Sequence, residues 1–259
     1  MKLVISPDEL RSLPKKDLLI VDARAFGDYV EGHIPGAVDI DLMQFHWIDT
    51  SKNGISQFNK QSKILLSNIG VRDKFVVFYD DISGSSAARG VWLLLYFSHT
   101  KVAMLDGGLS GWKARGLPIE TKTNPFVHAN FRGRPDPKIL VGYAAIKAAA
   151  KKNKTIILDA RSKEEYDGTV MRAARAGHIP GAVNIDWNDN IKDSFFKDEK
   201  ELAKMYNMPK DAEIIAYCQG GYRAANSFVV LKMLGYKKVK MYLGSWGEWG
   251  NRPDLPVSK

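Results

Sequence analysis

The chain's 259 residues are long for one domain and comfortable for two. With 45 % hydrophobic and 26 % charged residues, the composition is that of a globular protein able to form a sizeable core. One cysteine excludes an internal disulfide and any multi-cysteine metal site, so a thiol that matters here matters as a reactive group.

The net charge of +9 would allow nucleic-acid binding, but the basic residues are scattered. Their one cluster, Lys147, Lys151, Lys152 and Lys154, reads as a solvated helix face, and no nucleic-acid partner is expected. The same excess draws small anions toward a cleft. Residues 1–6 are too short an apolar run for a signal peptide, and 91–97, the longest apolar stretch, is far too short to cross a bilayer. The expectation is a cytoplasmic protein with no membrane partner.

In chain order, Ser6-Pro7-Asp8-Glu9 opens a helix, with Ser6 as N-cap, Pro7 in the first position and Glu9 completing a capping box. A strand over 18–22 ends in Asp22-Ala23-Arg24, followed by Asp28-Tyr29 and the block Gly32-His33-Ile34-Pro35-Gly36-Ala37. Then come a helix over 60–68, a strand over 75–79 running into Asp80, a helix over 85–97 and a strand over 101–105. Gly107 and Trp112 close this half. Residues 120–137, with Asn124-Pro125 and Arg132-Gly133-Arg134-Pro135-Asp136-Pro137, continue neither helix nor central strand.

The second half repeats the first. A helix over 141–151 and a strand over 155–158 lead to Asp159-Ala160-Arg161, then Glu165-Tyr166 and Gly177-His178-Ile179-Pro180-Gly181-Ala182. A helix over 199–205, a strand over 213–217 running into Cys218, a helix over 222–234 and a strand over 238–242 precede Gly244 and Trp249. The offset is 137 at Asp22/Asp159 and 145 at His33/His178, so the second copy carries an eight-residue insertion around Gly168 to Arg175. Short runs rich in Val, Ile and Phe alternating with helices predict an α/β fold, each copy a mainly parallel sheet flanked by helices. The domains are expected at 1–120 and 138–259, with 121–137 as the linker.

The chemistry concentrates at Cys218-Gln219-Gly220-Gly221-Tyr222-Arg223, between a strand and a helix. Such a junction lies at the carboxyl edge of a parallel sheet, where α/β folds bind ligands. Consecutive glycines let the backbone curl so that several N–H groups converge on one centre. The helix N-terminus and Arg223 add positive charge, so a thiolate, a sulfur bound to it, or an arriving oxyanion would be stabilised there. A lone cysteine is more often small core filling. The matching residue in the first half is Asp80, however, a poor equivalent for core filling.

The paired Asp-Ala-Arg and Gly-His-Ile-Pro-Gly-Ala blocks, the Tyr-Cys loop and the trailing Gly and Trp resemble the rhodanese family over nearly the whole chain. The form resembled is the tandem one, with a catalytically inactive first domain, here carrying Asp80 in place of Cys, and an active second one. The resemblance implies a thiosulfate sulfurtransferase in which Cys218 forms a persulfide cradled by Gln219, Gly220, Gly221, Tyr222 and Arg223. The outer sulfur then passes to cyanide, a thiol or another thiophilic acceptor. Covalent catalysis in two steps implies ping-pong kinetics. The alternative donor is 3-mercaptopyruvate, whose users carry a Cys-Gly-Ser-Gly loop and an Arg before the aromatic after Asp-Ala-Arg. Here Glu164 and Glu165 precede Tyr166, which would repel a carboxylate, while Arg223 suits an inorganic dianion. The run from Arg175 also looks like thiosulfate-type members. Phosphatases of the cell-cycle type place five residues between the loop cysteine and its Arg; here only four lie between Cys218 and Arg223, a shorter loop that fits sulfur better than phosphate. A non-catalytic persulfide carrier or partner-binding module is the reading from another class.

No cofactor and no metal are expected: His33 and His178 recur without ligand-spaced partners and read as structural, bonding the Pro35-Gly36 and Pro180-Gly181 turns. Asp22 with Arg24, and Asp159 with Arg161, read as internal ion pairs, with Arg161 also a candidate substrate contact. Trp47, Trp187, Trp246 and Trp249 suit either a domain boundary or core packing. The expected state is a monomer, since two domains packed on each other could already bury enough surface.

Overall fold

The computed structural model describes residues 2–150 and 155–259. Lys151, Lys152 and Lys154 of the basic cluster, with the end of the helix expected over 141–151, lie outside the described residues. The chain forms two compact units, one of residues up to 46, 57–135 and 191–196, the other of 47–56, 136–190 and 197–259.

The first unit begins with β1 (Val4–Ile5) and α1 (Pro7–Ser12). The expected capping box forms: Ser6 Oγ accepts from the Glu9 amide at 3.2 Å and the Glu9 carboxylate accepts from the Ser6 amide at 2.8 Å. There follow β2 (Leu18–Asp22), α2 (Phe26–Glu31), β3 (Val38–Asp39), α3 (Lys52–Asn68, of which 57–68 belong to this unit), β4 (Phe75–Tyr79), α4 (Ser85–Tyr96), β5 (Val102–Leu105) and α5 (Gly108–Ala114). The five strands run parallel in the order β1-β5-β4-β2-β3. β4 and β5 are buried on both faces, which is why they read as unbroken apolar runs rather than alternations. Val77, Tyr79, Leu105 and Trp112 share one core cluster.

The second unit repeats this plan with β6 (Leu140–Val141), α6 (Tyr143–Ala149), β7 (Thr155–Asp159), α7 (Lys163–Asp167) and β8 (Val183–Asn184). An antiparallel hairpin of β9 (Ile191–Lys192) and β10 (Phe195–Phe196) belongs to the first unit. The second resumes with α8 (Glu199–Met205), β11 (Glu213–Tyr217), α9 (Tyr222–Met233), β12 (Val239–Tyr242) and α10 (Ser245–Trp249). Its parallel sheet has the order β6-β12-β11-β7-β8, the same topology with the elements renumbered. Trp246 and Trp249 are core residues of this unit, beside Ile215, Tyr217 and Tyr242. Trp47 and Trp187 are half-buried.

One helix and the histidines differ from the expectation. α3 starts at Lys52 rather than at residue 60, because its first turns are polar and contain Gly54, which hides the apolar spacing. The histidines serve structure through other partners than the Pro-Gly turns. His33 Nδ1 lies 2.8 Å from the Tyr29 carbonyl and its ring stacks on Tyr29 at 3.7 Å. His178 repeats this with the Tyr166 carbonyl at 2.9 Å and the Tyr166 ring at 3.8 Å.

Candidate active site

β11 is a central strand, and its last residue, Tyr217, pairs with Asp159 at the end of β7. The Tyr217 hydroxyl donates to Asp159 Oδ2 at 2.5 Å and accepts from the Ile179 amide at 3.1 Å. Burial and the Asp159 charge keep this phenol well above its usual ionisation range, so it remains a donor. The strand end is thereby fixed where the loop begins.

Cys218 is 1 % exposed. Its amide donates to Ser245 Oγ at 3.2 Å, its carbonyl accepts from the Trp246 amide at 2.8 Å, and the Gln219 carbonyl accepts from the Gly247 amide at 2.8 Å. These bonds tie the base of the loop to the turn after β12. The chain then curls through Gly220 and Gly221, the latter at φ +85°, a left-handed conformation that costs glycine nothing. That curl brings the Gly221 amide to 3.1 Å from Cys218 Sγ, just before α9 begins at Tyr222. The sulfur therefore sits at a helix N-terminus with a backbone donor aimed at it. Gln219 Nε2 donates to the Arg172 carbonyl at 2.9 Å, linking the loop to the inserted segment, and Tyr222 is buried.

The structure brings Cys218, Gln219, Gly220, Gly221, Tyr222 and Arg223 together in one turn, but places two arginines otherwise than the sequence suggested. Arg161 is 1 % exposed and turned inward: it forks onto Asp159 at 2.6 and 2.9 Å, donates to the Gly177 carbonyl at 2.8 Å and lies over the Trp246 ring. It is an internal ion pair, not a contact offered to substrate from the cleft, and Arg24 holds Asp22 and the Gly32 carbonyl the same way. Arg223, expected to add positive charge to the loop, is engaged by Glu165 through two bonds of 2.5 and 2.9 Å. Glu165, expected to repel a donor, has a side chain only 3 % exposed, while Glu164 is exposed. Burial alone would raise the Glu165 carboxyl, but the Arg223 bonds and charge outweigh it and hold the group below the usual carboxylate range.

Of two arginines in the insertion, Arg172 was not foreseen, and Arg175 stood out only as the start of a thiosulfate-type run. Arg172 Nε lies 3.5 Å from Glu165 Oε1 with its side chain 59 % exposed, so it is an accessible cation at the rim of the loop. Arg175 is spent on structure, donating to the carbonyls of Trp249, Gly250, Arg252 and Leu255. The available signal was the insertion itself, which occurs only in the half that carries the cysteine.

The sequence profile described as the rhodanese-like domain matches residues 6–115 and 143–252. The chain belongs to the rhodanese family. It is 33 % identical over 268 residues to a thiosulfate sulfurtransferase of Pseudomonas aeruginosa, covering 99 % of this chain and 97 % of that one. It is 34 % identical over 251 residues to the sulfur carrier protein TtuD of Thermus thermophilus, covering 89 % and 87 %. The crystal structure of SseA from Escherichia coli, described in terms of the rhodanese fold and mechanism of 3-mercaptopyruvate sulfotransferases, superposes with a TM-score of 0.81 at 28 % identity over 95 % of this chain and 99 % of that one. This rhodanese is thus a tandem protein, and its relatives support sulfurtransferase function. Among the described residues no helix is long and apolar enough to cross a membrane.

Proposed function

We propose that the protein transfers sulfane sulfur from thiosulfate to a thiophilic acceptor, cyanide or a thiol, through a persulfide on Cys218. The observation that carries this reading is the Gly221 amide aimed at Cys218 Sγ within a turn that opens a helix. The Cys218 thiolate attacks the outer sulfur of thiosulfate, the S–S bond breaks, and sulfite leaves with its electron pair. The persulfide is held by the loop, principally through residues 219–223. Cyanide then attacks the outer sulfur, thiocyanate departs, and the electron pair returns to Cys218 as thiolate. Donor and acceptor react in separate half-steps, so steady-state kinetics follow a ping-pong pattern.

The donor preference follows from charge. One carboxylate, Glu165, is shared by two guanidinium groups, Arg223 and Arg172, which leaves positive charge in excess beside the sulfur. A dianion such as thiosulfate gains more from that excess than the singly charged 3-mercaptopyruvate. The full-length likeness to a thiosulfate sulfurtransferase supports the same choice. In this reading the unit with Asp80 supplies no nucleophile and is catalytically inactive.

Intact mass after incubation with thiosulfate tests the proposal. The expected result is a gain of one sulfur that disappears on adding cyanide, with thiocyanate released. A gain with 3-mercaptopyruvate alone would reassign the donor. Stable loading without turnover would make the protein a carrier, as the likeness to TtuD allows. No adduct from either donor would refute sulfur transfer.

A further inference from the structure

We infer that Glu165 is a positioning residue for the sulfur chemistry: its carboxylate clamps the Arg223 guanidinium beside Cys218 and so sets how strongly the Cys218 sulfur is held as an anion. The inference rests on Cys218 being the nucleophile and extends it to a residue far from the loop in sequence.

Arg223 lies in the first turn of α9, where the helix already presents partial positive charge and a cation is unfavourable. It therefore needs a counter-anion. Three anions bear on it: Glu165, the Cys218 sulfur and, more weakly, Asp159, which Arg161 already holds. Glu165 takes the planar fork, with Oε2 accepting from Nη1 at 2.5 Å and Oε1 from Nη2 at 2.9 Å. Such two-point pairing fixes direction as well as distance. The carboxylate is itself held, because Glu165 Oε2 accepts from the Ser162 amide in the capping box that starts α7. Sequence at the helix start thus decides where a charge in another helix can point.

The other charged groups around the clamp complete the balance. Arg172 approaches Glu165 from the insertion at 3.5 Å. Asp186, half-buried and raised by burial, lies in the field of both Arg223 and Glu165. Arg161 feels Glu165 but is already committed to Asp159. With Glu165 in place, Arg223 is shared and the sulfur keeps the Gly221 amide as its hydrogen-bond donor. Without it, the charge of Arg223 acts chiefly on the Cys218 sulfur, with Asp159 felt more weakly. The repeat supplies an internal control: the counterparts of Glu165 and Arg223 in the first unit are the exposed Asp28 and the half-buried Ser86, so the clamp occurs only in the unit with the cysteine.

The test is the pH dependence of Cys218 alkylation by iodoacetamide, measured on the full chain with no sulfur donor. A failure of the sulfur-transfer reading would show in the mass experiment, whereas a failure of this inference shows here. Glu165→Gln keeps an oxygen for the Ser162 cap and removes only the charge. We expect its alkylation midpoint to fall by roughly half a pH unit or more, since a negative charge beside a thiolate has been lost. Its plateau rate should also drop, because a better-stabilised thiolate is a weaker nucleophile. Arg223→Gln should move the midpoint upward, and the double variant should return close to the parent. Loss of a merely structural contact would loosen the loop and raise the midpoint. An unchanged or higher midpoint in a folded Glu165→Gln overturns the inference. Should that variant not fold, an unchanged midpoint in Arg223→Gln does so instead.

Discussion

The turn after β4 and the turn after β11 are the same device built around different atoms. Each leaves a central strand of a five-stranded parallel sheet and runs into a twelve-residue helix. In the first unit the Asp80 carboxylate fills the turn, accepting from the amides of Gly84, Ser86 and Ala87 at 3.0 Å each. The approach is so close that a Cβ on Gly84 would lie 2.4 Å from that carboxylate, which explains the glycine. In the second unit Cys218 Sγ takes the corresponding place, with the Gly221 amide 3.1 Å away. A strand-turn-helix junction thus makes an anion nest in either unit. The first closes it permanently with its own carboxylate; the second leaves it to a polarizable atom that can form and break bonds. If Cys218 carries the persulfide as proposed, catalysis belongs to the central atom rather than to the nest.

The largest effect that could break the comparison concerns activity. Cys218→Ser is expected to abolish thiocyanate formation from thiosulfate and cyanide, while Asp80→Asn, in the unit without the nucleophile, leaves the rate within about twofold of the parent. Loss of turnover in a folded Asp80 variant would show that the first unit takes part in the reaction after all.

Next in size are the paired arginines, where the two units should behave alike. Arg161→Met strands the Asp159 carboxylate in the interior, and Arg24→Met does the same to Asp22. Breaking a buried ion pair from one side costs about 3–5 kcal/mol. Denaturant unfolding should show this loss for both variants. A raised KM for thiosulfate at unchanged stability, confined to Arg161→Met, would instead restore Arg161 as a substrate contact.

The comparison also shows what a sequence can carry. The central strands were legible because β4, β5 and β11 are apolar on both faces, and the nest was legible because two glycines follow Cys218. The edge strands β1, β3, β6 and β8 escaped notice because two residues leave no periodicity to read. Glu164 and Glu165 looked alike in sequence and were both set facing a donor. Only their angular positions on α7 separate them, one exposed and one turned inward onto Arg223. The histidines were correctly seen as structural, but their partners were missed, since a ring stacked on a tyrosine twelve residues back in one unit and four in the other follows no common spacing.

The smallest effect sharpens the comparison at the sheet edge, where Asp39 in β3 corresponds to Asn184 in β8. Asn184 Nδ2 donates to the carbonyls of Asp159 and Arg161 at 3.0 and 2.8 Å. Asp39 as a carboxylate has no proton to donate, and its Oδ1 is buried without a hydrogen-bond partner. Burial first, then the charges of Asp22 and Asp41, push its carboxyl up to about 7. An unfolded aspartate titrates near about 4, so between those values the folded chain binds a proton that the unfolded chain does not. Stability contributed by this site is therefore intact below about pH 4, declines as pH rises, and is lost above about 7. Asp39→Asn supplies the missing donor and removes the charge. It should raise the Tm relative to the parent at pH 8, with the difference shrinking steadily toward pH 4, as followed by thermal unfolding across that range. A difference that stays constant with pH would mean that Asp39 is ionised in the folded chain throughout. The two edges would then be held by unlike interactions despite their shared register.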